Sequence, residues 1–248
     1  MKIGILGTGN IGKTLALKLA AAGHDVKVAN SRGPDTIDPA VLATGARAAT
    51  AADAVKEADA VILTMPLARL RDVAPLISAL PTETAVIDTS NYYPHRDGTI
   101  DAIEAGEAES VWVSELLGRP IAKAWNSIGA SSFETKGQPA GSPGRIALPV
   151  SADRDSDRKV AMALVEATGF TAFDAGSLAA SWRQQPGAPT YCTDLTRDEL
   201  PGALAMAERE RLPKRRDLTL AIMAERFGGI VTNIDSAYRV RLARTLYM

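Results

Sequence analysis

Gly7-Thr8-Gly9-Asn10-Ile11-Gly12 fits the spacing G-x-G-x-x-G, directly after the apolar run Ile3–Leu6 and at the head of a stretch rich in Ala and Leu. That context gives the spacing its chemistry. The first glycine permits a tight turn, the second lets the backbone approach a pyrophosphate, and the third allows a helix to pack closely on a strand. Unpaired amides at the start of such a helix face anionic oxygens and stabilise their charge. Residues Gly7, Thr8, Gly9, Asn10, Ile11 and Gly12 are therefore expected to grip a dinucleotide.

Eighteen residues beyond Gly12 the second apolar run ends at Asn30-Ser31-Arg32. A site selective for NAD would place Asp or Glu there, against the ribose hydroxyls. A carboxylate would repel a 2′-phosphate, whereas Ser31 can donate a hydrogen bond and Arg32 offers a planar, permanently charged fork. NADP(H) is the expected cofactor, with Asn30, Ser31 and Arg32 at its 2′-phosphate.

In open α/β sheets, ligands collect outside the carboxyl ends of the strands. Three segments follow such ends: "TMPLARL", "DTSNYYPHRDG" and "KAWNSIG". The first offers Met65, Pro66 and Leu67 as an apolar wall; the second places Asp88, Thr89, Asn91 and Tyr92 near the nicotinamide end. Groups able to carry a proton are few. His24 lies in a turn at the far end of the sheet and reads as structural. His95 sits among Pro94, Arg96, Asp97 and Gly98, and reads as a solvated loop residue or a proton carrier. If Ile121–Trp125 is a strand, Lys123 and Asn126 cannot meet on one substrate atom. Lys123 then pairs with a phosphate or carboxylate, or packs, while Asn126 can still reach a ligand.

This scarcity suits hydride exchange between two ring cofactors, which needs apposed planes and excluded water more than a protein acid. Met65, Leu67, Tyr92 and Trp125 could supply the apolar surface, with Tyr92, Trp125 and Asn126 on the acceptor side. No catalytic residue and no metal ligand is assigned.

The elements that would position these groups alternate. Strand-like runs at Ile3–Leu6, Val26–Ala29, Val61–Met65, Ala85–Asp88 and Ile121–Trp125 are separated by helical stretches, which implies βα units around a mostly parallel, doubly wound α/β sheet of Rossmann type. Gly12–Ala22 reads as a helix ended by Gly23, Asp53–Glu57 as part of a short helix, and Leu67–Leu80 as a helix split by Pro75. A strand at Arg145–Val150, a helix at Ser156–Thr168 and a strand at Gly169–Asp174 are expected to extend the same sheet. After Gly176, "SWRQQPGAPTYCTD" changes the style, and three helical candidates follow. A nucleotide-binding domain over residues 1–176 and a helical region over 177–248, serving as substrate cover or dimer surface, are the expected units. The apolar stripes Leu200/Leu204/Ala207, Leu218/Ile222 and Tyr238/Leu242 fit core or a subunit interface.

The totals bound the partners. The chain has 248 residues, 46% hydrophobic and 23% charged, with 28 Lys plus Arg against 29 Asp plus Glu. No global field draws it to nucleic acid or an anionic membrane. Its single cysteine, Cys192, can form neither an intrachain disulfide nor a multi-cysteine metal site. With no export signal at the N-terminus and no apolar run near the about 20 residues a bilayer requires, a soluble cytoplasmic protein is expected.

The stretches "GILGTGNIGKTLALKLAAAGHDVKVANSR", "VIDTSNYYPHRDG" and "AKAWNSIGA" together resemble the deazaflavin-dependent NADP oxidoreductase family, whose members pass hydride between NADPH and a deazaflavin coenzyme. The likeness covers about the first 130 residues well and extends more loosely to about residue 176. It implies NADP binding by Gly9, Asn10, Ile11, Ser31 and Arg32, a deazaflavin co-substrate, direct transfer without an essential acid or base, and a homodimer built on the C-terminal helices. The C-terminal part departs from compact family members, so a different small-molecule redox acceptor stays open, with Trp182, Arg183, Gln184 and Gln185 as its lid or as a linker. Two other readings stand beside it: an NADPH-dependent reductase of a small carbonyl or imine compound, using His95, Lys123 or a Tyr, and a non-catalytic NADP(H) redox sensor.

Overall fold

Alternating apolar residues divide the strands between two hydrophobic layers: Ile3, Ile5, Ile62 and Ile87 join one, and Leu6, Val61, Leu63 and Val86 the other. Strands buried on both faces form parallel sheets covered by helices on either side. In the computed structural model, which describes residues 1–228 and 235–248, the strands are β1 (Lys2–Leu6), β2 (Asp25–Ala29), β3 (Arg47–Ala48), β4 (Ala60–Leu63), β5 (Ala85–Asp88), β6 (Ala122–Lys123), β7 (Ala147–Ala152) and β8 (Thr171–Asp174). They make one sheet in the order β3-β2-β1-β4-β5-β6-β7-β8. Every pair is parallel except β6–β7. The expected doubly wound architecture is present, and both later strands do extend the same sheet.

The longer helices are α1 (Asn10–Ala21), α2 (Leu70–Ser78), α3 (Glu109–Leu117), α4 (Asp155–Ala167), α5 (Leu212–Phe227) and α6 (Ser236–Tyr247). Helix α1 buries Leu15, Ala16 and Leu19, and the chain leaves it through Gly23 at φ +88°, a conformation that costs glycine little. Among the described residues no helix is long and apolar enough to cross a membrane.

Several sequence expectations are corrected. Pro75 does not split its helix: a 3-10 turn over Leu67–Arg69 leads into α2, which continues past Pro75 to Ser78. Burial of Leu70 and Ile77 on one face outweighs the one hydrogen bond that proline removes. The strand expected to reach Met65 ends at Leu63, and the one expected over Ile121–Trp125 keeps only Ala122 and Lys123. Trp125 there adopts φ +56°, which breaks the alternation of the strand and invalidates the argument that set Lys123 and Asn126 on opposite faces.

Beyond β8 the chain returns to the sheet. Gln184 ends a 3-10 turn over Leu178–Gln184 and accepts from Ser151 of β7 through Oε1 at 3.1 Å. Ala147 donates its amide to the Leu195 carbonyl at 2.8 Å, and Thr196 bridges to Ile146.

Candidate active site

The chain runs from β1 outward through β2 to β3, then crosses back to β4 on the other side of β1. This reversal opens a crevice at the carboxyl ends of β1 and β4, where dinucleotides bind in such sheets. The glycine turn lies in it. Gly7 has φ +113°, and a Cβ there would stand 2.6 Å from Thr64 Oγ1 and 2.7 Å from the Thr64 carbonyl oxygen. A Cβ on Gly12 would overlap the Gly7 carbonyl oxygen and lie 2.6 Å from Thr64 Oγ1. Around Gly9 nothing stands within 4 Å of an ideal Cβ position. Two glycines thus hold the turn closed and the third faces open space.

Gly9 is the N-cap of α1, with no side-chain cap and no acidic residue in the first turn. The first amide of that turn to find a helical carbonyl is Lys13, on Gly9. The amides ahead of it remain for an anion. At the end of β2, Asn30 Oδ1 accepts the Arg32 amide at 2.9 Å and Asn30 Nδ2 donates to Thr36 Oγ1 at 3.0 Å. The Asn30 side chain therefore shapes the loop, leaving Ser31 and Arg32 exposed beside it. Arg32 has no carboxylate partner among the described residues.

From Gly9, Asn10 and Ile11 a cavity of about 330 Å³ runs past Thr64, Met65, Pro66, Thr89 and Asn91 to Asn126 and the Ile128–Ala130 turn. Asn91 and Asn126 are locked together: Asn91 Nδ2 donates to the Asn126 carbonyl at 2.9 Å, and Asn126 Nδ2 to Asn91 Oδ1 at 3.1 Å. Gln184 completes the brace, donating to Asn126 Oδ1 at 3.0 Å. A second cavity, about 880 Å³, lies between the Tyr93–Arg96 segment and helices α5 and α6. The two cavities share Tyr93, Arg96, Tyr191, Cys192 and Arg239.

Three candidate residues are corrected by their surroundings. Leu67 is fully buried in the apolar layer that holds Leu63 and Leu70 and does not line the crevice. Tyr92 is 1% exposed, and its hydroxyl donates to the Gly98 carbonyl at 3.1 Å. Its neighbour Tyr93 faces both cavities instead. Trp125 touches the smaller cavity but is 1% exposed and donates its indole N–H to Thr168 Oγ1 at 3.2 Å, so its ring packs rather than offering a stacking face. Sequence reasoning missed Thr64, Tyr93, Tyr191, Arg239 and the 128–130 turn. The doublet Tyr92-Tyr93 was a usable signal, since adjacent extended residues point oppositely.

Beneath the cavity floor Lys123 donates to Asp88 Oδ2 at 2.6 Å and to the Ser90 carbonyl, with both charged side chains fully buried. The expected pairing of Lys123 with an anion is thus internal. Asp88 also accepts from the Ser90 amide and hydroxyl, each at 3.0 Å. Nearby, Glu109 is 2% exposed and its Oε2 has no hydrogen-bond partner among the described residues. Burial pushes its carboxyl from 4.5 up to about 7, against the pull of Lys123. The folded protein then holds a proton that the unfolded chain has lost, so this contribution to stability is complete below pH 4.5 and disappears as pH rises through 7. Glu109→Gln is expected to flatten the decline in unfolding free energy between pH 5 and 8 by about 2.5 kcal/mol, read from urea melts at the two pH values. An equal slope in both proteins would contradict the assignment.

Fold and glycine turn together define a Rossmann-type sheet with an open helix terminus at its switch point. Residues 2–92 match the family described as "NADP oxidoreductase coenzyme F420-dependent", which bears out the resemblance read from that part of the sequence. The protein YjhV of Escherichia coli (strain K12) is 43% identical over 79 residues, which are 30% of this chain and 58% of that protein. The chain thus spans little more than half the length of this curated relative. The crystal structure of SMa0349 from Sinorhizobium meliloti is similar at 28% identity and a TM-score of 0.68, over 80% of this chain and 96% of that one. A structure from Arthrobacter sp. FB24, whose name assigns it to F420-dependent NADP reduction, shares the fold at 20% identity and a TM-score of 0.58, over 92% of this chain and 96% of that one.

Proposed function

We propose that the protein transfers hydride between NADP(H), lying along the glycine turn and the smaller cavity, and a planar acceptor of deazaflavin, flavin or quinone type in the larger cavity. One observation carries the reading. The two spaces, about 330 and 880 Å³, meet at the same five side chains, so a ring in each would be apposed across one boundary. Apposition and exclusion of water are what ring-to-ring hydride transfer demands of a protein. The residues present fit NADP(H): an uncapped helix terminus faces the space at Gly9, and Arg32 offers its guanidinium at the ribose end. When bound, the cofactor supplies the hydride. Asn91 and Asn126, held by Gln184, line the region for its nicotinamide end. In the same reading the C-terminal helices form a homodimer surface, with Leu218 and Phe227 exposed on α5.

The test is oxidation of NADPH, followed by absorbance, with 5-deazariboflavin, riboflavin and menadione as acceptors. Turnover with at least one supports the reading. Tight NADPH binding without oxidation by any of the three would overturn it in favour of a sensor. Arg32→Ala is expected to weaken NADPH about ten- to a hundredfold, the worth of a charge-assisted phosphate contact, and NADH by less than about twofold. Equal losses for the two nucleotides, measured by fluorescence titration, would remove Arg32 from the 2′-phosphate.

A further inference from the structure

Reduction of a neutral conjugated acceptor needs more than hydride. Once the acceptor ring has taken the hydride, negative charge develops on a conjugated oxygen or nitrogen, and a proton donor placed there stabilises it. Of the groups first considered for that role, His95 and Lys123 do not stand at the boundary between the cavities. His95 lines only the larger cavity, and Lys123 is consumed by Asp88 and Ser90.

Two phenols do stand at the boundary. Tyr93 follows β5 and Tyr191 lies in the segment after β8, 98 residues away, yet their hydroxyls meet at 2.8 Å. Both side chains line both cavities. One O–H proton is used between them, which leaves the other for a third atom. Arg239 of α6 borders the same two cavities and has no carboxylate partner among the described residues. The backbone here is held under strain: Cys192, next to Tyr191, has φ +57° and donates its amide to the Ser127 carbonyl at 2.7 Å. Non-glycine residues kept in that region cluster at functional sites.

We propose that the Tyr93–Tyr191 pair is the proton donor to a neutral planar acceptor, and that Arg239 stabilises the charge developing on that acceptor. The inference rests on the hydride-transfer reading above. Hydride leaves NADPH and forms a C–H or N–H bond on the acceptor; the outer phenol O–H breaks and its proton joins the acceptor oxygen or nitrogen. The phenolate so formed takes the proton of the second phenol, and water restores that one after product leaves. The balance is NADPH plus acceptor plus one proton giving NADP⁺ plus the dihydro acceptor. Burial raises both phenols above their ordinary range, Tyr191 strongly so; Cys192 adds to the rise of both, Tyr247 and Glu109 to that of Tyr93, and Arg239 opposes that of Tyr191. Both therefore stay protonated in the resting protein, and Arg239 is the group that would stabilise charge at this boundary.

The experiment compares wild type, Tyr93→Phe and Tyr191→Phe in single turnovers with the fastest neutral acceptor among menadione, riboflavin and 5-deazariboflavin, and with the N-methylacridinium cation, which takes hydride without a proton. The expected result is loss of about a hundredfold or more with the neutral acceptor in at least one variant, unchanged NADPH affinity, and acridinium rates within about threefold of wild type. Wild type is also expected to show a solvent deuterium isotope effect with the neutral acceptor alone. Undiminished neutral-acceptor rates in both variants would overturn the proposal, and so would equal losses with neutral and cationic acceptors, which mark a structural role. Both outcomes leave hydride transfer standing. A wild type that oxidises NADPH with none of the three neutral acceptors refutes that parent reading first.

Discussion

Gly12→Ala is expected to leave a protein with no measurable affinity for NADPH. The added methyl would overlap the Gly7 carbonyl oxygen and press on Thr64 Oγ1 at 2.6 Å. Neither neighbour can yield cheaply. The Gly7 carbonyl belongs to the turn itself, and Thr64 Oγ1 is held 3.1 and 2.9 Å from the Leu6 and Gly7 carbonyl oxygens. Relief requires α1 to move away from β1, and the amides of its first turn then no longer face the space at Gly9. Titration by nucleotide fluorescence checks the loss, and circular dichroism checks that the sheet survives. The control is Gly9→Ala, whose methyl meets no protein atom within 4 Å and which leaves the fold intact while obstructing only the ligand. Full retention of NADPH affinity in Gly12→Ala would show that the cradle lies elsewhere.

Lys123→Met carries the second large effect, this time on stability. The side chain is replaced by one of similar length, but Asp88 is left fully buried with only the Ser90 amide and hydroxyl. Removing one member of a buried pair costs about 3–5 kcal/mol, because the remaining charge is uncompensated. For a chain of this size that amounts to roughly 6–20 °C in melting temperature. The pair also pins the short seam where β5 and β6 pair at Ile87–Ala122 and Asp88–Lys123. Adding Asp88→Asn to Lys123→Met removes the stranded charge, so the double variant is expected to melt above the single one. A single variant as stable as wild type would mean that water or another cation already satisfies Asp88.

The glycine turn was legible because its determinants are local. Six consecutive residues fix their own backbone, and the glycines at its two ends have no freedom to be anything else. Most of the sheet was legible for a similar reason, since apolar runs of strand length have few other uses. What escaped depends on distance. β3 is two residues long and carries no period of its own. The reversal of β7 against β6 is decided by packing, not by either strand. Leu67 read as a cavity wall because its neighbours Met65 and Pro66 are one, yet the 3-10 turn swings it inward. Trp125 read as the end of a strand, and a single left-handed residue there redirected the chain. Tyr191 and Arg239 had no signal at all: they reach the site only because the segment after β8 returns across the sheet, a path laid down by Gln184, Leu195 and Thr196.

The side chains common to both cavities have a thermodynamic consequence. A ligand that displaces Tyr93 or Arg239 changes the free energy of occupying the adjoining space, and linkage requires the influence to be mutual: the factor by which the nucleotide alters acceptor affinity equals the factor by which the acceptor alters nucleotide affinity. In the proposed hydride-transfer reading, a common partition is where any cooperativity between the two ligands would arise.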